Sequence, residues 1–403
     1  MTSITIQQTP VTIAQLPPTT ATDAPALGTN AKSASGGSKA SDNRAMRWSL
    51  QGQGKKLLPK ERVATCYRYM LDHAQHVEVQ YVARTGSAHY AGLQTCGSVW
   101  MCPICASKIT ERRKLEVEKA VKGAKEIGYR VIMLTYTFRH KREDNLKEQL
   151  VRMAHAFKLM NSGDASQARR AKYSVLGTIR ALEVTHSEWH GWHPHTHVLM
   201  FVPNDTDIES LESEYRTAWK ESAAKAGLDM DVHGFHLESC NDKVANYIAK
   251  YGTEPSEKTL AAYDKGWNES SELTKWQLKG NNNVSRAYNE HVTPFGLLRY
   301  SLEGDETAGH LFIEYALAFK HRRQLVWSPG LKEKFGINEK TDEELAEEQE
   351  EEAITLVQLS PTDWKKVLGN DCRGELLEIA RTGNIDVIKQ FLEDIGIHVM
   401  QRE

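Results

Sequence analysis

The chain has 403 residues, 40% of them hydrophobic and 26% charged, which is the composition of a globular protein with a sizeable core. It holds no run of about 18 apolar residues, and its start, MTSITIQQTP, lacks the features of a secretory signal, so we expect a cytoplasmic protein without a membrane span. The net charge of −2 hides a basic region, 101–180 (18 Lys/Arg against 8 Asp/Glu), and an acidic one, 341–403 (6 against 16), which favours a polyanionic partner, although solvated surface charge also explains it.

The first half of the chain predicts a disordered arm followed by alternating helices and strands. The arm is rich in Thr, Ala, Ser, Pro and Gly, so it buries too little surface to offset the entropy of ordering. A charged helix ending at Gly128 precedes the strand YRVIMLTYTF, and a helix over about 143–160 follows. The strands SVLGTIRALEVTH and HPHTHVLMFV, joined by the turn SEWHGW, predict an antiparallel hairpin.

The second half predicts helices at 207–226 and 242–251 around the short strand VHGFHLES, then a polar insertion, and two helices from TPFGLLRY onward. The run TDEELAEEQEEE is expected to link a small helical tail, which is either a packed unit or a partner surface. The predicted divisions are an arm at 1–45, a zinc-binding subdomain at 46–128, a catalytic domain at 129–260, an insertion with helical completion at 261–336, an acidic linker at 337–361 and the tail at 362–403.

The strongest chemical signal is HPHTH, at the start of an apolar strand. Side chains alternate across a strand, so His195 and His197 point to one face with His193, and neutral imidazoles at that spacing suit shared ligation of a cation. Glu183, across the hairpin, is the candidate third ligand, and its carboxylate favours Mg²⁺ or Mn²⁺. Histidines that only pack, and a glutamate on the surface, are the structural alternatives.

A second constellation is YIAKY in the predicted helix 242–251. Tyr247 and Tyr251 are four residues apart and share a helix face, and Lys250 beside them can contact a phosphate or lower a phenol pKa. Such a pair is often only core packing. Together with a metal site, however, it supplies the two parts that covalent strand transfer requires.

These motifs resemble those of the HUH endonucleases, in the same order: the strand motif VIMLTYTF, the histidine motif HPHTHVLMFV and the tyrosine motif YIAKY. Thr196 stands where that family usually has a bulky apolar residue. CGSVWMCPICASKI and TPFGLLRYSLEGD further resemble the rolling-circle replication initiators of small plasmids, over about residues 60–336.

The resemblance implies an α+β fold with a central antiparallel sheet of about five strands, which carries the histidines and is flanked by helices. It implies that Tyr251 attacks the scissile phosphate to give a 5′-phosphotyrosine and a 3′-OH primer, and that Thr135 and Lys250 contact DNA. Many plasmid initiators have a glutamate where this chain has Tyr247, whereas two-tyrosine relatives have a tyrosine there. The tyrosine favours a second transesterification, which ends with the displaced strand rejoined. The resemblance also implies a host helicase and polymerase as partners.

The cysteines predict a second metal. Cys96, Cys102 and Cys105 form C-x5-C-x2-C, and in a chain without an export signal such a cluster indicates structural zinc more than disulfides or free thiols. The fourth ligand is Cys66 or His89, with Cys66 preferred.

Three other functions are compatible with the same sequence. A single-strand transposase or relaxase would use the same chemistry. A zinc-bearing DNA-binding regulator would use the tyrosines for stacking on bases, and a metallohydrolase would leave them idle.

Overall fold

The computed structural model describes residues 37–239, 292–348 and 352–398. Its elements up to residue 239 are α1 (Gly37–Leu57), β1 (Val77–Val82), β2 (Ser87–Ala91), α2 (Pro103–Glu126), β3 (Tyr129–Tyr136), α3 (Leu146–Met160), α4 (Gly163–Lys172), β4 (Gly177–Ser187), β5 (Gly191–Pro203), α5 (Ile208–Lys225) and β6 (Phe235–Ser239). The later ones are α6 (Pro294–Leu302), α7 (Glu306–Phe319), β7 (Leu325–Trp327), α8 (Leu331–Lys334), α9 (Asp342–Glu347), β8 (Ile354–Leu359), α10 (Pro361–Gly369), α11 (Arg373–Ala380) and α12 (Ile385–Asp394).

The central sheet has five strands in the order β6-β3-β5-β4-β7, and every neighbouring pair is antiparallel. The predicted α+β class and sheet are therefore confirmed. The predicted hairpin is the pair β4 and β5, the longest strands of the sheet. Strand β7 and helix α4 were not predicted from the sequence. β7 has only three residues, too few to show a periodic pattern.

Alternation along the strands divides the core into two layers. Leu134, Val198 and Met200 lie on one face of the sheet and pack with Phe157 of α3 and Trp219 of α5. The opposite face carries a second apolar row, which packs against α2. The row consists of Val131, Met133, Leu199 and Phe201, and it contacts Val117 and Ala120 of α2. His195 and His197 continue the second row toward the hairpin turn, because they have the same parity along β5 as Leu199.

A smaller antiparallel sheet, β2-β1-β8, lies in the part of the molecule that holds the cysteines. Its third strand, β8, comes from the segment that we expected to be an acidic linker. This segment is held by the pairing of β8 with β1 and by the burial of Leu345, and its charges meet a basic helix. Asp342 pairs with Arg113 at 2.9 Å and Glu348 with Arg112 at 3.1 Å. The acidic region thus neutralises part of the basic region that the charge pattern revealed.

The helical tail packs onto the same part. The Trp364 indole N–H donates to the backbone oxygen of Arg68 at 3.0 Å, and its ring lies edge-on to Tyr90 with the centroids 5.0 Å apart. The tail is therefore part of the core around the cysteines. At the other end, the expected arm falls mostly outside the described residues, but from Gly37 onward the chain is helix α1. The divisions at 1–45, 46–128, 129–260, 261–336, 337–361 and 362–403 otherwise remain predictions.

Within the described residues, no helix is both long enough and apolar enough to span a membrane.

Candidate metal centres

The hairpin brings a carboxylate and two imidazoles together. Glu183 of β4 is directly opposite His195 of β5, and His197 is on the same face two residues further along. The Nε2 atoms of His195 and His197 each lie 2.9 Å from Glu183 Oε2. All three side chains are largely buried, so the cluster is enclosed by the sheet and its flanking elements rather than lying open on an edge.

The hydrogen bonds on the far side of each ring orient these groups for ligation. His195 Nδ1 lies 3.2 Å from the backbone oxygen of His193, and because a carbonyl only accepts, Nδ1 carries the proton there. The Nε2 of a neutral His195 then presents a lone pair to Glu183. Thr135 Oγ1 lies 2.9 Å from His197 Nδ1 and fixes the orientation of that ring. Imidazoles oriented by a second partner are typical of metal ligands.

Separations of 2.9 Å between an imidazole nitrogen and a carboxylate oxygen are those of atoms that share a proton or a metal ion. Burial raises the pKa of the Glu183 carboxyl, but the facing His195 and His197 outweigh burial and hold that pKa well below its usual range. Burial lowers the pKa of His195, yet Glu183 outweighs it and the net shift is upward. The site thus favours an ionised carboxylate and a cationic partner, which fits a divalent cation.

Two threonines take roles that the sequence did not reveal. Thr135 bonds His197, and that bond joins residues from neighbouring strands. The expected contact of Thr135 with DNA stays a prediction. Thr196, the departure from the family pattern, is buried on the opposite face, and its hydroxyl lies 3.7 Å from Met153 Sδ of α3. The substitution therefore changes the packing beneath the sheet and leaves the ligand face unaltered.

A row of imidazoles leads from the triad to the hairpin turn. Ring centroids are 4.9 Å apart for His197 and His195, 5.3 Å for His195 and His193, and 4.8 Å for His193 and His140. His140 Nε2 shares a 2.7 Å hydrogen bond with His193 Nδ1. No motif in the sequence indicated His140, because its loop after β3 meets the hairpin only in the folded structure.

The four cysteines form a second, closed cluster. The Sγ atoms of Cys66 and Cys105 are 3.5 Å apart, those of Cys96 and Cys105 are 3.6 Å apart, and those of Cys102 and Cys66 are 3.7 Å apart. Sulfurs about 2.3 Å from a tetrahedral zinc ion would be separated by about 3.8 Å, so the spacing fits that ion. All four cysteines are buried, and no position is left open to solvent.

Local structure explains how the cysteines converge. Cys102 caps the N-terminus of α2, Pro103 begins the helix, and Cys105 lies in its first turn, where the helix dipole favours a thiolate. The Cys105 pKa is lowered because the neighbouring thiols donate to its sulfur. The alternative ligand, His89, lies outside the cluster, and burial together with nearby cationic side chains lowers its pKa to about 4.

The remaining predicted site residues, Tyr247, Lys250 and Tyr251, lie outside the described residues, as does the predicted insertion. Strand β6, immediately before them, lies at the edge of the central sheet and pairs with β3, so Thr135 is directly opposite His236. The order of the chain along the sheet is therefore known up to Ser239, and the positions of the phenols remain a prediction.

A five-stranded antiparallel sheet with a buried carboxylate and two imidazoles on its central hairpin, joined to a four-thiol cluster, defines a protein with two candidate metal centres. The family model described as replication protein matches residues 89–366. The chain belongs to this replication protein family, as the motifs indicated, and a role in initiating replication goes with that membership.

Individual relatives share a quarter to a third of their residues with this chain over the aligned regions. A "Protein rep" of Streptomyces lividans is 25% identical over 324 residues, covering 66% of this chain and 69% of that protein. A "Neomycin resistance protein" of Streptomyces cyanogenus is 30% identical over 151 residues (31% and 35%), and a "Protein rep" of Bacillus amyloliquefaciens is 31% identical over 169 residues (40% and 45%). The chain thus spans less than half of the last two. No solved structure matches it.

Proposed function

We propose that this protein starts rolling-circle replication of a plasmid by nicking one DNA strand at the origin, and that it later rejoins the displaced strand. The observation that carries the proposal is the convergence of Glu183, His195 and His197 on one sheet face in a chain of the replication protein family. A divalent cation held there, Mg²⁺ or Mn²⁺, would polarise the scissile phosphate.

The chain's own residues account for the rest of the reaction. The Tyr251 oxygen attacks phosphorus, the bond from phosphorus to the 3′ oxygen breaks, and the products are a 5′-phosphotyrosine and a 3′-OH. The phenol loses a proton and the leaving oxygen gains one, so no water is consumed. Because the phosphodiester is conserved as a tyrosine ester, a 3′-OH can later attack that ester, release the tyrosine and close the strand. We assign to Tyr247 the attack on the regenerated junction, which forms a second phosphotyrosine and frees the 3′-OH that closes the displaced strand. We assign contact with the phosphate to Lys250.

The surroundings of the triad support these roles. Its ligands are fixed by Thr135 and by the backbone of His193, so they need little rearrangement when the cation binds. We assign Zn²⁺ to the four thiols, where a closed tetrahedral site braces the fold and leaves no open position for chemistry. Cytoplasmic location and partnership with a host helicase and polymerase belong to the same proposal.

The test is a covalent-adduct assay with labelled single-stranded oligonucleotides that span candidate origins, in Mn²⁺ or in EDTA, resolved on denaturing gels. We expect an adduct in Mn²⁺ only, lost in Tyr251→Phe or in the double variant with Tyr247→Phe, and lost in Glu183→Gln. Tyr69→Phe is the matched control, because Tyr69 is an exposed phenol away from the sheet. DNA binding that survives in every variant, with no adduct under any metal, would identify a non-enzymatic replication regulator.

A further inference from the structure

The turn between β4 and β5 carries an exposed aromatic ring. The turn consists of Glu188, Trp189 and His190, and Trp189 is 65% exposed. Of the seven tryptophans that the structure describes, the other six are buried or half-buried. Single exposed apolar side chains are common on protein surfaces. This one lies at the end of the hairpin that carries the candidate metal ligands, so its solvent-accessible ring is placed to bind a ligand of that site.

The turn is held in place from several sides. The Ser187 hydroxyl accepts from the backbone N–H of His190 at 3.2 Å, and His140 Nδ1–H donates to the His190 oxygen at 2.8 Å. Gly191 has a φ of +69°, and a Cβ there would lie 2.7 Å from the backbone oxygen of Arg142. The turn therefore packs closely against the loop after β3, and Trp189 is presented on a preorganised support.

The support is continuous with the candidate catalytic site. The imidazole row from His197 to His140 ends where His140 bonds the turn, so triad and turn belong to one face of one hairpin. From Gly191 to His195 the strand advances four residues, or about 13 Å. If a DNA phosphate binds at the triad, a base a few nucleotides further along the same strand lies over the turn.

We propose that Trp189 is a stacking platform for an unpaired base of the single-stranded DNA that flanks the scissile phosphate. This inference rests on the proposed nicking function. Stacking, rather than charge, is the fitting interaction here: residues 139–144 carry three basic and two acidic side chains, and Glu188 adds a third acidic one. A nearly neutral surface with an exposed ring suits the face of a base, which every nucleotide has.

The expected effect follows from the energy of stacking on an aromatic side chain, about 1–3 kcal/mol per base, which corresponds to a roughly 5- to 150-fold change in affinity. Trp189→Ala should weaken binding of single-stranded DNA by a factor in that range. The dependence of log K on log salt should stay the same, because no phosphate contact is lost. Trp189→Phe should keep most of the affinity.

The experiment measures fluorescence anisotropy of labelled oligothymidylate in buffer without Mg²⁺ or Mn²⁺, so that binding is observed without cleavage. Tyr69→Ala is the matched control, because it removes an exposed aromatic side chain, 59% accessible, far along the chain from the hairpin. In a second step, each nucleotide of an adduct-forming oligonucleotide is replaced in turn by an abasic one. One abasic position near the nick should weaken binding to the wild type and have no further effect on Trp189→Ala.

The outcomes separate the two proposals. Wild-type protein that binds no single-stranded DNA would contradict the nicking function itself. Three results would overturn the stacking platform while leaving the nicking function in place. They are an unchanged affinity in Trp189→Ala, an equal loss of affinity in Tyr69→Ala, and an altered salt dependence of binding in Trp189→Ala.

Discussion

Removing the metal from the thiol cluster should unfold one part of the molecule and spare another. Structural zinc contributes about 10–16 kcal/mol of binding free energy in small zinc domains, whereas a whole domain is stable by only about 5–15 kcal/mol. The sulfurs lie in the same apolar core as β1, β2, β8 and the tail helices. The binding free energy lost with the ion is therefore as large as the free energy of unfolding of that part.

The face of the central sheet that packs against α3 and α5 has a core without cysteines, which includes Met153, Phe157 and Trp219. Hydrogen exchange followed by mass spectrometry can distinguish the two parts. In Cys102→Ser we expect faster exchange in β1, β2, β8 and α10–α12, with α3 and α5 still protected. Glu183→Gln is the control, because it alters the other metal centre and should leave this pattern unchanged. Uniform loss of protection, or an unchanged tail, would refute the division.

Three further predictions concern single side chains. Thr135→Val removes the hydroxyl that holds His197, so calorimetry should show Mn²⁺ affinity about 10- to 100-fold lower, with Thr135→Ser close to wild type. Gly191→Ala should lower the melting temperature by an amount equivalent to about 1–3 kcal/mol, more than Gly128→Ala, which has a positive φ but open space around it; equal effects would contradict the close packing. Burial lowers the pKa of His186 to about 4, below its ordinary 6.5, so the unfolded chain takes up the proton first as the pH falls. The free energy of unfolding should therefore decrease as the pH is lowered from 6.5 to 4. Denaturation of His186→Gln should show a smaller decrease over that range, and an identical dependence on pH would contradict the shift.

The hairpin and its ligand face could be predicted because the evidence for them is local. Period-two alternation places His195 and His197 together, and a turn of fixed length sets the register that brings Glu183 opposite His195. No side chain beyond the hairpin is needed for that inference. The four thiols were predictable to the same extent, since three lie within ten residues and only the fourth ligand required a choice.

What could not be predicted depends on contacts between distant segments. Thr135 reaches His197 across 62 residues, and Arg113 meets Asp342 across 229. A run of acidic residues looks like a solvated linker unless the basic helix that it packs against is known. The choice between Cys66 and His89 as fourth ligand is of the same kind, because both are metal-binding residue types and only tertiary packing determines which one joins the other three cysteines.

The tail matters more to the thiol cluster than its distance in sequence suggests. Arg373 of α11 lies beyond the end of the family match at residue 366, and it is fully buried. Its guanidinium stacks on Trp48 at 4.9 Å, and Nη1 lies 3.5 Å from the backbone oxygen of Tyr67, the neighbour of Cys66. Four thiolates bound to a zinc ion would leave a net negative charge in this core, and a buried arginine would offset it. A segment outside the shared family region thus places positive charge close to the thiol cluster.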